Sequence, residues 1–386
     1  MLLRNLDIIN ADKIADVHIL NGKINAVGNF ISTPADTAVI SFDDVIAFPG
    51  LINSHDHLDF NLFPRLGNRV YNNYVEWGDD IHENNKEIIN SVLQIPKQLR
   101  IKWGIYKNLI NGITTVIDHS LYGSIHNEVI TVSQQYHFLH SIQLEKNWKL
   151  QLNKPFIKKL PYVIHIGEGT DNSSHNEIDT LGKWNIFKRD IVGVHGIAMN
   201  EKQASGFKAL VWCPDSNFFL MGKTAPVNKL KEATNIVFGT DSTVSARWSI
   251  WDHLKLARIL HLVSDEVLFN MLTTLPAELW NLKGAGIIGP AYDADIVIAK
   301  RKKDLRGYDA YYAVTTADIL LVIHKGNIRL FDAELLSQIK TEGLLTDNFS
   351  KIIIDGSVKY IYGDLPALVK EIRYYYKEAD FPFEIN

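Results

Sequence analysis

The residues with the most chemistry to offer are histidines and carboxylates that recur just past short apolar runs. His55-Asp56-His57 sets two imidazoles two positions apart. In a chain with 14 histidines a bare pair of this kind means little; its surroundings mean more. It follows the apolar strand Val45-Ile46-Ala47-Phe48 and the turn expected at Pro49-Gly50. Residues two apart on an extended segment point the same way, so both rings can offer a nitrogen to one metal ion. His165 ends Tyr162-Val163-Ile164, and Glu168 follows three residues later. His195 ends Ile191-Val192-Gly193-Val194, and Asp241 follows Ile236-Val237-Phe238 through Gly239-Thr240. Three neutral histidines with a carboxylate suit a borderline divalent metal such as Zn2+ or Fe2+. A shared metal also explains why groups that are costly to bury unpaired are collected together. Any one of these histidines alone reads as a satisfied core residue. Their recurrence at the ends of separate strands, in order, argues for a site.

The elements that must position them alternate from about residue 49 to 283. Further strands are read at Thr114 to Ile117, Phe138 to Leu144 and Leu210 to Cys213, with helical stretches between. Strand–helix alternation predicts parallel β/α units. With the Val45 strand the number approaches the eight of a closed barrel, and a span of about 235 residues suits a barrel of roughly 250. Active sites of such barrels lie at the C-terminal ends of the strands, which is where these residues stand.

Both chain ends read differently. Residues 1–48 alternate short apolar runs with turns, and Asn21-Gly22 is a hairpin signal. The β pattern returns after Gly284, with Asp295 to Ala299, Leu320 to Ile323 and Ile328 to Leu330. Residues 1–48 and 284–335 are therefore expected to build one β unit, with the barrel of 49–283 inserted between its halves. In the extension 336–386, Leu365, Leu368, Val369 and Ile372 follow helical spacing behind Asp364, a candidate N-cap. Tyr374-Tyr375-Tyr376 is read as continuing the apolar face.

Composition bounds the partners. The 386 residues are 46% hydrophobic and 22% charged with a net charge of −4, so a basic nucleic-acid footprint is not expected. The run Lys300 to Lys303 reads as a solvated loop. One cysteine, Cys213, cannot form an internal disulfide. The first residues carry Arg4, Asn5 and Asp7 and do not read as a signal peptide. No apolar run is long enough for a membrane span. The expectation is a cytoplasmic protein acting on a small molecule, with a homodimer as one assembly open to it.

The order and spacing of these motifs resemble the amidohydrolase superfamily, in the branch of cytosine, guanine and S-adenosylhomocysteine deaminases and triazine hydrolases. The matching stretches are Phe48 to His57, Gly112 to His119, His165 to Glu168, Val194-His195-Gly196, Cys213 to Asn217, and Gly239 to Ser242. Gly289 to Val297 resembles the family's return to its β-sandwich. The resemblance implies a TIM-like (β/α)8 barrel plus a small β-sandwich built from both chain ends. It implies one metal held by His55, His57, His165 and Asp241, with Glu168 shuttling protons and His195 orienting the attacking water. Residue chemistry agrees. A metal makes hydroxide available near neutral pH, and Asp241 can accept the water proton. Glu168 can donate to a ring nitrogen or leaving group, and an imidazolium at His195 would stabilise an oxyanion.

Two departures stand out. The stretch of about 43 residues between His119 and Tyr162 is short, since a βαβ unit takes about 30 or more, so one β/α unit is expected to be shrunken or missing. Dinuclear relatives carry a carboxylated lysine at the fourth strand; Lys146 is the candidate, but His165-x-x-Glu168 resembles the mononuclear branch. His119 could line the pocket, and Arg65, Arg69 and Arg247 could grip an anionic substrate. Trp77, Trp103 and Trp248 could stack on a ring, and Pro214 to Asn217 is a pocket candidate. The reading is a metal-dependent hydrolase of a non-peptide C–N bond, deaminating a cyclic amidine or heteroaromatic ring. Its rivals are a cyclic amide or imide hydrolase using the same site, and an inactive binding protein of the same fold.

Overall fold

The computed structural model describes residues 1–11, 14–33, 35–120, 125, 127–344 and 347–385. Both chain ends enter one ten-stranded sheet. Its centre is the antiparallel pairing of Val45–Pro49 with Ile296–Lys300, in which Ile296 faces Pro49 and Lys300 faces Val45. Leu2–Ile8 pairs in parallel with the other edge of Val45–Pro49. The hairpin expected at Asn21-Gly22 joins Ala15–Leu20 to Lys23–Gly28. Asn21 and Gly22 both have positive φ, 50° and 78°, as a tight hairpin turn requires.

The sheet runs past residue 335. Phe349–Ile354 and Ser357–Tyr362 form a hairpin whose second strand pairs with Asn327–Asp332. Lys359 anchors it from a fully buried position, its Nζ donating to Ile319 O and Asp332 Oδ2 at 2.6 Å each. The helix Leu365–Tyr375 then packs on the helix Lys97–Ile110. Asp364 caps it by accepting from Ala367 N, and Leu365, Leu368, Val369 and Ile372 are its buried face, as the spacing predicts. Tyr374 and Tyr375 point away, 82% and 41% exposed, so they do not extend that face.

Between the two halves lie a three-stranded and a five-stranded parallel sheet. The first holds Leu51–Asp56, Ile113–Asp118 and Thr131–Ser133. The second holds His137–Ser141, Tyr162–Ile166, Ile191–His195, Ala209–Trp212 and Asn235–Phe238. The strand leading to the histidine pair is thus Leu51–Asp56, not the Val45 strand, which belongs to the ten-stranded sheet. Pro49-Gly50 is a junction between two strands and not a turn. A Cβ at Gly50 would lie 2.2 Å from Thr114 Oγ1, so only glycine lets the chain pass there.

First and last parallel strands meet through Asn53. Its Oδ1 accepts from Thr240 N at 3.1 Å and its Nδ2 donates to Thr240 Oγ1 at 2.8 Å. Thr131–Ser133 has three residues, and only residues 134–136 separate it from His137–Ser141, with no helix between. Among the described residues, no helix is long and apolar enough to cross a membrane.

Candidate active site

Every polar side chain at the centre of the site comes from the C-terminal end of a parallel strand or the residues just after it. His55 ends the first strand and His57 follows it. His119 follows Ile113–Asp118, and His165 and His195 lie at the ends of their strands. Asp241 lies three residues past Phe238. The last strand reaches the first closely: a Cβ on Gly239 would stand 2.7 Å from the Cβ of His55. His195 and Asp241 adopt left-handed backbone, φ 73° and 57°. Such conformations are costly for non-glycine residues and persist where surroundings enforce them, often at functional sites.

Three imidazole nitrogens converge. His165 Nε2 lies 3.2 Å from His55 Nε2 and 3.3 Å from His57 Nε2. His165 Nδ1 is 2.9 Å from the carbonyl oxygen of His140. That contact places the proton on Nδ1 and leaves Nε2 with its lone pair toward the cluster. Asp241 Oδ1 is 3.9 Å from His55 Nε2 and 3.8 Å from His57 Nε2. Two hydroxyls, Ser216 Oγ at 2.8 Å and Ser245 Oγ at 2.9 Å, donate to Asp241 Oδ2, and Ser242 N donates to Oδ1.

Burial pushes His55, His119 and His165 well below the ordinary imidazole range, and neighbouring histidines push further. They are neutral, the form that ligates a metal. Burial works against ionised Asp241, but His195, His57 and the two serines outweigh it and hold its pKa below the ordinary carboxyl value. Neutral nitrogens with lone pairs aimed at one point, beside a carboxylate, repel one another unless a cation sits among them. Donors on one tetrahedral ion at about 2.1 Å stand about 3.4 Å apart, close to the 3.2–3.9 Å seen here. The donor set fits a divalent metal.

Beside this cluster, Glu168 Oε1 is 3.5 Å from His195 Nε2. Burial pushes Glu168 well above the usual carboxyl range, with the Asp241 and Glu177 carboxylates adding to it. His195 Nδ1 is 2.8 Å from Asn217 Oδ1. Burial lowers the pKa of His195 although Asp241 and Asn217 oppose it. Ser216 and Asn217 lie in the first turn of the helix Pro214–Met221. They hold Asp241 and His195 and do not line the cavity.

His119 lies among the ligand candidates, with a donor nitrogen within 4.8 Å of those of His55, His57 and His165. Neither of its buried ring nitrogens makes a hydrogen bond of good geometry. The anionic grip read from the arginines is not in this cavity. Arg247 donates from Nε and its terminal amine to Asp215 Oδ1 at 2.9 and 2.6 Å. Arg69 is paired with Glu76, and Arg65 lies over the Phe219 ring. Arg65, Arg247, Trp103 and Trp248 line a second cleft beside the C-terminal residues, whereas Trp77 lines the first. Lys146 is exposed and lines neither. The fourth-strand residue that does line the cavity is His140, its ring 5.3 Å from that of His165. Burial, with His57, pushes its pKa down to about 4. Sequence reading missed it, although a histidine ending a strand is the signal that found the others.

Comparison with known proteins bears out the resemblance. Residues 160–329 match the Amidohydrolase family. A 5-methylthioadenosine/S-adenosylhomocysteine deaminase of Thermococcus sibiricus is 24% identical over 373 residues, covering 77% of this chain and 85% of the relative. An adenosine deaminase of Xanthomonas campestris with bound zinc shares the fold with a TM-score of 0.71 at 15% identity, covering 98% of each chain. The zinc complex of atrazine chlorohydrolase from Arthrobacter aurescens TC1 gives 0.67 at 16%, covering 89% of this chain and 99% of that one.

Proposed function

We propose that the protein is a metal-dependent hydrolase of non-peptide C–N bonds that deaminates a cyclic amidine or heteroaromatic ring. The observation that carries this is the convergence of three imidazole nitrogens and Asp241 with Glu168 and His195 beside them. His55, His57, His165 and Asp241 would hold one divalent metal, Zn2+ ahead of Fe2+ for three nitrogens and one oxygen. Such a metal, when bound, supplies Lewis acidity and an acidified water. The chain's own groups handle the protons. Asp241, held ionised, takes the proton of the attacking water. Glu168, protonated at rest, donates to a ring nitrogen, and a proton goes on to the departing ammonia. His195, its Nδ1–H fixed by Asn217, turns the Nε2 lone pair toward the water and orients it. The two parallel sheets are read as one (β/α)8-like barrel whose third unit is reduced to Thr131–Ser133. The ten-stranded sheet is read as its companion β-sandwich.

Purified protein is expected to hold close to one divalent transition metal per chain by elemental analysis. It should release ammonia from at least one member of a panel of purines, pyrimidines, pterins and triazines. Chelation should abolish that release and added Zn2+ should restore it. Two tightly held metals per chain would overturn the mononuclear assignment, and a metal-loaded protein that releases no ammonia from the panel would overturn deamination.

A further inference from the structure

The cavity over the histidine cluster has a volume of about 340 Å³, at the small end of small-molecule sites. Its floor is the cluster itself. Its wall is apolar, built from residues that include Phe60, Phe63, Trp77, Ile81, Leu93 and Leu144. Trp77 and Ile81 lie four apart on the helix Tyr74–Asn84, and Ile89 and Leu93 four apart on Lys86–Leu93, so each pair shares a face. The apolar surface continues to the mouth, where Leu93 is 48% and Leu144 58% exposed.

What the wall lacks is equally informative. Among the described residues, no lysine, arginine, asparagine or glutamine lines the cavity, and its only carboxylates are Glu168 and Asp241. The nearby arginines are committed elsewhere, Arg247 to Asp215 and Arg69 to Glu76. The polar tips that do line it are mostly in use. Trp77 Nε1 donates to Leu66 O at 2.8 Å, Ser245 Oγ donates to Asp241, and Tyr74 Oη accepts from Gln143 N at 3.3 Å. Ser242 Oγ has no partner, His82 is exposed, and His140 Nδ1 is 3.0 Å from Ser141 Oγ. Among the described residues that is too little to satisfy the vicinal hydroxyls of a ribose, and no lysine or arginine there would neutralise a carboxylate or phosphate group. Buried hydroxyls without partners are penalised, and a hydrophobic pocket disfavours an added hydroxyl by about a hundredfold.

We propose that the substrate is a neutral aminated heteroaromatic ring bearing an apolar alkyl or aryl substituent, and not a nucleoside, nucleotide or amino-acid conjugate. The ring would lie against the cluster and the substituent against the wall of the two helices. This rests on the deaminase reading above, which it narrows.

The test uses the metal-loaded full chain and matched pairs that share a ring, such as 9-butyladenine with adenosine and 1-butylcytosine with cytidine. Binding is measured by calorimetry and ammonia release on the same samples. For at least one ring, the butyl member should bind about a hundredfold more tightly than the riboside and release ammonia faster. Leu93→Gln, at a half-exposed position where folding is not at stake, should shrink that preference about tenfold. A preference for the riboside, no butyl member bound at millimolar concentration, or a preference untouched by Leu93→Gln would each overturn the proposal. Tight binding of the butyl members without ammonia from either member would uphold the pocket's specificity and sink deamination instead.

Discussion

Glu168→Gln is expected to keep its metal and lose turnover by about 10²–10⁴, the usual worth of general acid–base catalysis. The substitution preserves size and removes the ionisable proton. Glu168 lies beside the cluster, 3.5 Å from His195 Nε2, and burial holds it in the protonated form that a donor needs. The turn that carries it is supported separately: Gly167 N donates to Glu177 Oε1 at 2.8 Å, and burial pushes Glu177 up to about 7. The amide should therefore find the same place. His165→Ala should behave differently, because it deletes one of the converging nitrogens; metal and turnover should fall together. Elemental analysis and ammonia release on the same preparations separate the two. A Glu168→Gln variant that loses metal would make Glu168 a ligand. One that keeps full activity would hand the proton to another group, with His140 the first to examine because it lines the same cavity.

The central residues were legible because they stand at or just past short apolar runs, and a strand end is a local feature, although the run read before His55 belongs to the ten-stranded sheet. His55, His57, His165, His195 and Asp241 needed only the β/α alternation to be brought together. The arginines failed for the opposite reason. Whether Arg247 faces a substrate depends on Asp215, 32 residues away, and nothing in the local sequence announces that pairing. The strand Thr131–Ser133 is too short to show periodicity, so the shortness of the 119–162 stretch could be read but not its cause. Pro49-Gly50 misled because these residues usually turn the chain; here glycine is needed for the approach of Thr114 while the chain runs on into the next sheet. Buried lysines were invisible too, since lysine is almost never fully buried unless paired, and the partners of Lys107 and Lys359 come from other elements.

Lys107→Met should be the most destabilising of the substitutions considered, by about 3–5 kcal/mol, because removing one partner of a buried ion pair strands the other. Lys107 lies on Lys97–Ile110, its side chain 1% exposed, and Asp56 opposite is 0% exposed. The ammonium donates to Asp56 Oδ2 at 3.1 Å and to Asn61 Oδ1 at 2.8 Å. Asn108 Nδ2 and Asn61 Nδ2 donate to the same carboxylate at 2.8 Å each. Methionine fills a similar volume but leaves that carboxylate with amide donors alone. Asp56 also stands between His55 and His57, with its side chain on the opposite face of the strand from theirs. Whatever fixes Asp56 therefore fixes the backbone from which both imidazoles project. Urea unfolding of metal-free and metal-loaded protein distinguishes two roles. An equal loss in both forms makes the pair a fold element only. A larger loss in the loaded form, with weaker metal retention against a chelator, makes it the brace that holds the two histidines on target. Asp56→Asn in the Lys107→Met background removes the stranded charge and should recover part of the stability. If it recovers none, the cost lies in lost packing around the lysine stem, and the ion-pair account of this region fails.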